Sequence, residues 1–267
     1  MISFVATPIG NLKDITLRAL ETLKEADVIF CEDTRHTLKL LNAYEIKKPL
    51  QSCHKFNETQ AAQKILEASR RGENVAVVSD AGTPVVSDPG NKVCQILREA
   101  GEPYTLIPGA SAFVAALVLS SLKADRFAFI GFLPEKASEK RAVLEKYKDL
   151  DITLTFHSAP QDVDKDIKAM AEVFGNRKAA AVREITKLHE ETQIFNLQDG
   201  LDGEKRGEYV LVVEGAGEKA NPLNELTEKE HILHYMSQGL DKKEALKRAA
   251  KDRGVTKSAL YPFSVEL

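Results

Sequence analysis

The chain has no tryptophan, only three cysteines, and no apolar run approaching the roughly 20 residues that a bilayer-spanning helix needs. Cys31, Cys53 and Cys94 are scattered and include no Cys-x-x-Cys pair, which argues against a disulfide framework and fits reduced thiols in a cytoplasm. The six histidines show no zinc-like spacing. His231 and His234 stand three apart in what reads as an ordinary helix, so no metal is expected. A surplus of positive charge is missing too. A formal net charge of -3 argues against a purely electrostatic nucleic-acid binder, though a local basic patch fits within that average. The opening MISFVATPIGN has no cationic segment before its apolar run, so it does not read as a signal peptide. Repeats and low-complexity segments are absent. These absences predict a cytoplasmic protein with no membrane partner.

What is present points to an α/β protein. With 267 residues, 43% hydrophobic and 29% charged, the chain is long enough for two domains and an appendage. Short β-rich runs at 2–6, 28–31, 75–79 and 104–107 alternate with helical patterns at 16–25, 35–44, 59–71 and 91–99. This rhythm predicts a parallel sheet covered on both faces. The small apolar segment 110–122 reads as a buried helix joining two halves. Strands at 127–132, 152–156 and 179–182, with helices at 139–148 and 162–174, predict a second sheet. Segments 191–197 and 209–214 flank the turn-rich DGLDGEKRG and read as a β-hairpin. That makes the second sheet mixed and argues against a (β/α)₈ barrel. Further on, Thr227-Glu-Lys-Glu230 is a capping box and Asp241-Lys-Lys-Glu244 a second helix start. Thr256 would cap a short third helix stopped by Pro262. Residues 241–257 hold seven Lys/Arg against three Asp/Glu, a small basic helical tail. The expected divisions are 1–115, 116–218 and 219–267.

Four predicted strands end in polar, turn-forming loops: Thr7-Pro-Ile-Gly-Asn11, Glu32-Asp33-Thr34-Arg35, SDAGTPVVSDPG (79–90) and Pro108-Gly-Ala-Ser-Ala112. In a parallel sheet such loops share one edge, where ligands bind. Glycines let backbone approach a ligand, and prolines keep the loops rigid. The loops offer backbone N–H groups, the hydroxyls of Thr83, Ser87 and Ser111, and the carboxylates of Asp33, Asp80 and Asp88. No lysine lies within 79–90 and no G-x-x-x-x-G-K-[ST] loop exists, which disfavours a polyphosphate. Carboxylates with N–H donors suit a ligand of both charge signs, of which S-adenosylmethionine is one. Gly215-Ala-Gly217-Glu-Lys-Ala220 imitates a dinucleotide motif, but Asn221-Pro222 breaks the helix that motif requires, so it reads as a turn.

VATPIGNLKDIT (5–16), CEDTRHT (31–37), SDAGTPVVSDPG (79–90), PGASA (108–112), FIGFLP (129–134), REITKLHEE (183–191) and GEYVLVVEG (207–215) occur in that order. Together they resemble the tetrapyrrole methylase superfamily. Within it they are similar to the bacterial enzymes that methylate a cytidine ribose 2′-hydroxyl in small-subunit ribosomal RNA. The resemblance spans residues 1 to about 217 and extends to the helical tail. It implies two α/β domains, a parallel N-terminal sheet and a mixed C-terminal one, with S-adenosylmethionine in the cleft between them. It also implies a homodimer whose partner is small-subunit ribosomal RNA or the ribosomal subunit. Carried onto this chain, the cofactor residues would be Pro8, Asp80, Ala81, Gly82, Val85, Ser87, Ser111, Ala112, Phe156, Arg183 and Ala216. One segment departs from the pattern. Relatives tend to read Y-E-S-P-H-R where this chain has Phe156-His-Ser-Ala-Pro-Gln161.

A ribose hydroxyl is a poor nucleophile, so a base or a cation near the forming alkoxide is expected. Asp33 and Glu184 are the candidate bases; Arg35 and Lys187, with Arg183, are the candidate cations. The plainer alternatives are a helix N-cap at Asp33 and a solvated charge run over 183–191. The basic tail fits RNA phosphates or a solvated helix face equally. Two other functions compete: a superfamily methyltransferase acting on a tetrapyrrole or other small acceptor, and a non-catalytic ribosome-binding protein.

Overall fold

The protein is described by a computed structural model over residues 1–217 and 222–265. The imitation motif's Glu218–Ala220 with Asn221, and the boundary expected at 218/219, lie outside the described residues. The chain divides into two compact units, Met1–Gly215 and Ala216–Leu267.

The first unit holds two five-stranded sheets. Strands β1 (Ile2–Val5), β2 (Val28–Cys31), β3 (Leu50–Ser52), β4 (Val75–Val78) and β5 (Tyr104–Ile107) form a parallel sheet ordered β3-β2-β4-β1-β5. β1, β2 and β4 are buried at every residue, because helices cover both faces. Those helices are α1 (Leu17–Glu25), α2 (Thr34–Ala43), α3 (Glu58–Arg70) and α4 (Asn91–Glu99). One face packs Phe4, Phe30, Val77 and Leu97, the other Val5, Ile29, Leu41 and Val78. β3 went unread in the sequence. It is a three-residue edge strand, none of it fully buried, so it carries no apolar run.

Helix α5 (Ala112–Ser120) follows β5 and packs Ala116 and Leu117 on the second sheet, against Ala180, Val182, Val210 and Val212. That sheet comprises β6 (Phe127–Phe132), β7 (Thr153–Ser158), β8 (Lys178–Arg183), β9 (Glu191–Asn196) and β10 (Tyr209–Val213), ordered β6-β7-β10-β8-β9. Only the β6–β7 pair is parallel, so the sheet is mixed. Helices α6 (Ala137–Glu145) and α7 (Val163–Phe174) cover its other face.

The expected hairpin of the last two strands is corrected. β9 pairs with β8, whereas β10 inserts between β7 and β8. Burial explains the choice. All five residues of β10 are buried, so it needs a neighbour on each side, whereas no residue of β9 is fully buried, which suits an edge.

The second unit contains α8 (Glu228–Ser237), α9 (Lys242–Asp252) and α10 (Lys257–Leu260). The Thr227–Glu230 capping box is formed in both directions, Asp241 caps α9, and Thr256 caps α10. Ile232, Ala245, Leu246, Ala249 and Leu260 make its core. His231 is fully buried there with Asp252 and Arg253 each 3.2 Å from its ring nitrogens, so it is a core histidine.

Candidate active site

Strand order fixes where a ligand can enter. From β1 the chain moves to β2 on one side of the sheet, and from β4 it moves to β5 on the other. β1 and β4 are neighbours, so the crevice beyond their carboxyl ends is the switch point of the sheet. There the two loops clasp each other: Thr7 N–H donates to the Gly82 carbonyl at 2.8 Å, and Gly82 N–H to the Thr7 carbonyl at 3.0 Å. The 79–90 loop is held in costly backbone conformations. Val85 has φ 78° and Ser87 φ 65°, two of six non-glycine residues with positive φ among those described. A β-branched residue in that region persists only where its surroundings impose it.

The second sheet closes the crevice. Gly131 of β6 has φ 78°, and a Cβ there would stand 3.0 Å from the Ser87 hydroxyl oxygen. A Cβ at Gly10 would stand 2.6 Å from Lys187 Cγ and 2.9 Å from the Ile185 carbonyl oxygen. Glycine at both places lets loops from the two sheets touch.

The result is a cavity of about 420 Å³. The first sheet contributes Ile9, Glu32, Asp80–Thr83, Val86–Asp88 and Ser111–Phe113; the second contributes Phe132, His157–Pro160, Ile185 and Glu208–Val210. A cleft of similar size lies at the opposite, amino-terminal ends of the first sheet's strands, where loops from a switch point do not converge. The wall of the main cavity carries four carboxylates, Glu32, Asp80, Asp88 and Glu208. No lysine or arginine among the described residues lines it. Burial raises the Asp88 carboxyl and the Asp80 charge adds to it, against a hydrogen bond from Ser79. Burial, then Asp80 and Asp88, raise Glu32. Burial lowers His157 and so favours its neutral ring, against the pull of Glu208.

Of the expected cofactor residues, Asp80, Ala81, Gly82, Ser87, Ser111 and Ala112 line the cavity. Others do not. Pro8 yields the wall to its neighbour Ile9. Val85 packs against the core of the first sheet. Phe156 is fully buried against Phe174 in the core of the second, because residues alternate along β7 and His157 takes the cavity side. Arg183 pairs with Glu191 at 2.7 Å. Ala216 begins the second unit.

None of the four candidate catalytic residues lines the cavity. Asp33 is the N-cap of α2, accepting from Arg35 N–H at 2.8 Å and pairing with the Arg35 guanidinium at 2.7 Å. Those hydrogen bonds hold its carboxyl at about 2, too acidic for a base near neutrality. Its N–H donates to Asp80 Oδ1 at 3.1 Å. Glu184 accepts from Glu208 N–H and from Lys187 Nζ, both at 3.0 Å, and Lys187 also reaches the Glu208 carboxylate at 2.9 Å. Burial opposes ionisation of Glu184, yet these donors hold it below its ordinary value. The sequence reading missed Glu32, Phe132, Glu208 and Tyr209 as wall residues. A central position for β10 would have found the last two.

A family model described as Tetrapyrrole (Corrin/Porphyrin) Methylases matches residues 1–202. The Ribosomal RNA small subunit methyltransferase I of Bacillus subtilis is 41% identical over 270 residues, covering 98% of this chain and 92% of that protein. Its counterpart in Haemophilus influenzae is 39% identical, covering 99% and 96%. Among solved structures, a diphthine synthase matches with a TM-score of 0.65 at 16% identity, over 80% of this chain and 89% of that one. A uroporphyrin-III C-methyltransferase from Thermus thermophilus, complexed with S-adenyl homocysteine, matches with a TM-score of 0.58 at 17% identity, over 80% and 96%. At those identities the structures speak to the fold alone.

Proposed function

The chain belongs to the tetrapyrrole (corrin/porphyrin) methylase family, and from that premise we infer that it is an S-adenosylmethionine-dependent methyltransferase acting on the 2′-hydroxyl of a cytidine ribose in small-subunit ribosomal RNA. The observation that carries the reading is the cavity at the switch point, walled by four carboxylates and, among the described residues, by no lysine or arginine. Such a wall suits a ligand bearing an ammonium and a sulfonium. The volume of about 420 Å³ lies in the range of small-molecule sites. Bound there, S-adenosylmethionine supplies an electrophilic methyl group.

Most of the remaining task is orientation. Asp80 and Glu32 face the cationic part of the ligand, and Ile9, Val86, Ala112 and Ile185 supply apolar wall for its adenine. Asp88, made more basic by burial, takes the hydroxyl proton. Asp33 and Arg35 act at one remove, through the N–H that fixes Asp80. Glu184 and Lys187 do so by holding Glu208 on the wall. A small-molecule acceptor loses ground because relatives similar along nearly their whole length carry a ribosomal RNA name. An enzyme of ribosomal RNA works where subunits are, in the cytoplasm, and all three cysteines are free thiols, as that compartment maintains. The outer face of α5 supports a homodimer, since the helix is apolar all round and Val118 is exposed on that face.

Mass mapping of ribose methylation in ribosomal RNA from cells lacking the chain tests the reading. One cytidine of the small subunit should lose its 2′-O-methyl group. An unchanged methylation map would overturn the assignment.

A further inference from the structure

The cavity mouth carries an aromatic feature that binding a methyl donor does not require. Phe132 ends β6 and lines the cavity, yet 62% of its surface is exposed. Isolated exposed apolar side chains are ordinary on protein surfaces, so exposure alone says nothing. What distinguishes Phe132 is how it is mounted. Its ring stacks on His157, with centroids 5.2 Å apart and planes at 29°. His157 meets the edge of Phe129 at 5.1 Å, and Phe129 stacks on Phe113 at 4.4 Å. With Phe127, 6.1 Å from Phe113, five rings thus run in series, and Phe132, at the cavity mouth, is its more exposed end.

A local irregularity of the backbone creates the mounting. β6 and β7 run in register from Phe127 opposite Thr153 to Phe129 opposite Thr155. The register then slips by one residue, so that Gly131 faces Phe156 and Phe132 faces His157. Without the bulge at Ile130, Phe132 would stand opposite Ser158. Bulges beside active sites re-aim side chains in this way. Gly131, with its positive φ, lets the bulged strand lie against Ser87 of the first sheet. The same feature therefore closes the cavity and sets the ring at its mouth.

We propose that Phe132, backed by His157, is the platform on which the base of the target nucleotide stacks while its ribose enters the cavity. The proposal rests on the RNA-methyltransferase reading above. A ribose that enters a cavity draws its nucleotide out of the neighbouring stack, and an unstacked base gains from an aromatic face. A base is neutral, so it tolerates the acidic wall, and burial favours the uncharged ring of His157 beneath it.

Steady-state kinetics on small ribosomal subunits from cells lacking this chain, with calorimetry for S-adenosylmethionine, test the platform. Phe132→Ala should lower kcat/KM for subunits by roughly fivefold to a hundredfold, the worth of one base stack, chiefly through KM. Phe132→Trp should retain most of the activity. His157→Ala should lower kcat/KM in the same way, and His157→Phe should rescue it. Affinity for S-adenosylmethionine should stay near that of the unaltered enzyme in every variant. Phe132→Ala with unchanged subunit kinetics overturns the platform. So does a matching loss of cofactor affinity, which would assign the ring to the adenine. Failure of the unaltered enzyme to methylate subunits would instead overturn the parent reading.

Discussion

Burial makes Asp88 and Glu32 hold protons more tightly than carboxylates in water. The sign of the consequence differs between folding and binding. A carboxyl whose folded value is raised adds stability that is fully present below its unfolded value and is lost as pH rises through the raised one. A cationic ligand needs the opposite, an ionised wall. Mild acidification through the raised range should therefore stabilise the free protein while weakening its hold on S-adenosylmethionine. Glu32→Gln should mimic this at neutral pH, raising Tm and weakening the affinity by about tenfold or more, the range for a lost charged contact. Thermal scans and calorimetry from neutral pH down through the carboxylate range check both arms. At this scale the site was half legible. The residue types of 79–90 and Ser111-Ala112 identified much of the wall. The side chains of Val85 and Phe156 stand off the wall, because a motif gives position along the chain and not the face on which a side chain emerges.

A lysine on a helix usually reads as solvated, and nothing in the sequence of α6 marks Lys140 as different. In the structure Lys140 and Asp166 are buried and paired, joining α6 to α7. The Ser158 hydroxyl donates to the second oxygen of Asp166 at 2.6 Å, tying both helices to β7 where it forms the cavity wall. Lys140→Met leaves a buried carboxylate without its cation, which should cost about 3–5 kcal/mol. Adding Asp166→Leu should return much of that, because an apolar pair replaces an ionic one. Denaturant midpoints of the two single variants and the double variant measure the coupling. The elements themselves were legible wherever apolar periodicity and caps agreed, as in α4 and the three helices of the second unit. Pairing was not. β9 and β10 are close in sequence and flank a turn-rich loop. The wholly apolar YVLVV of β10 nevertheless places it in the sheet centre.

For the molecule as a whole, α5 is the element that one copy of the chain leaves unfinished. Its sequence, AFVAALVLS, is apolar all round, yet only one side packs on the second sheet, and Val118 is 76% exposed on the other. A helix with no polar face is ordinarily covered. We expect a second copy to cover it. Sedimentation should report a dimer, and Val118→Asp should split it while leaving the fold intact. A monomeric unaltered protein would refute this. The two-sheet architecture followed from strand–helix alternation, but the strand order that creates the switch point depends on long-range pairing and could not be read from the chain. The acidic wall has one further result. Each phosphodiester of an RNA strand carries a negative charge, and a wall of four carboxylates, with a lysine only behind Glu208 among the described residues, repels it. We therefore expect the crevice to filter by charge: sulfonium and neutral sugar would pass inward, while the acceptor's backbone would be kept to the outer surface.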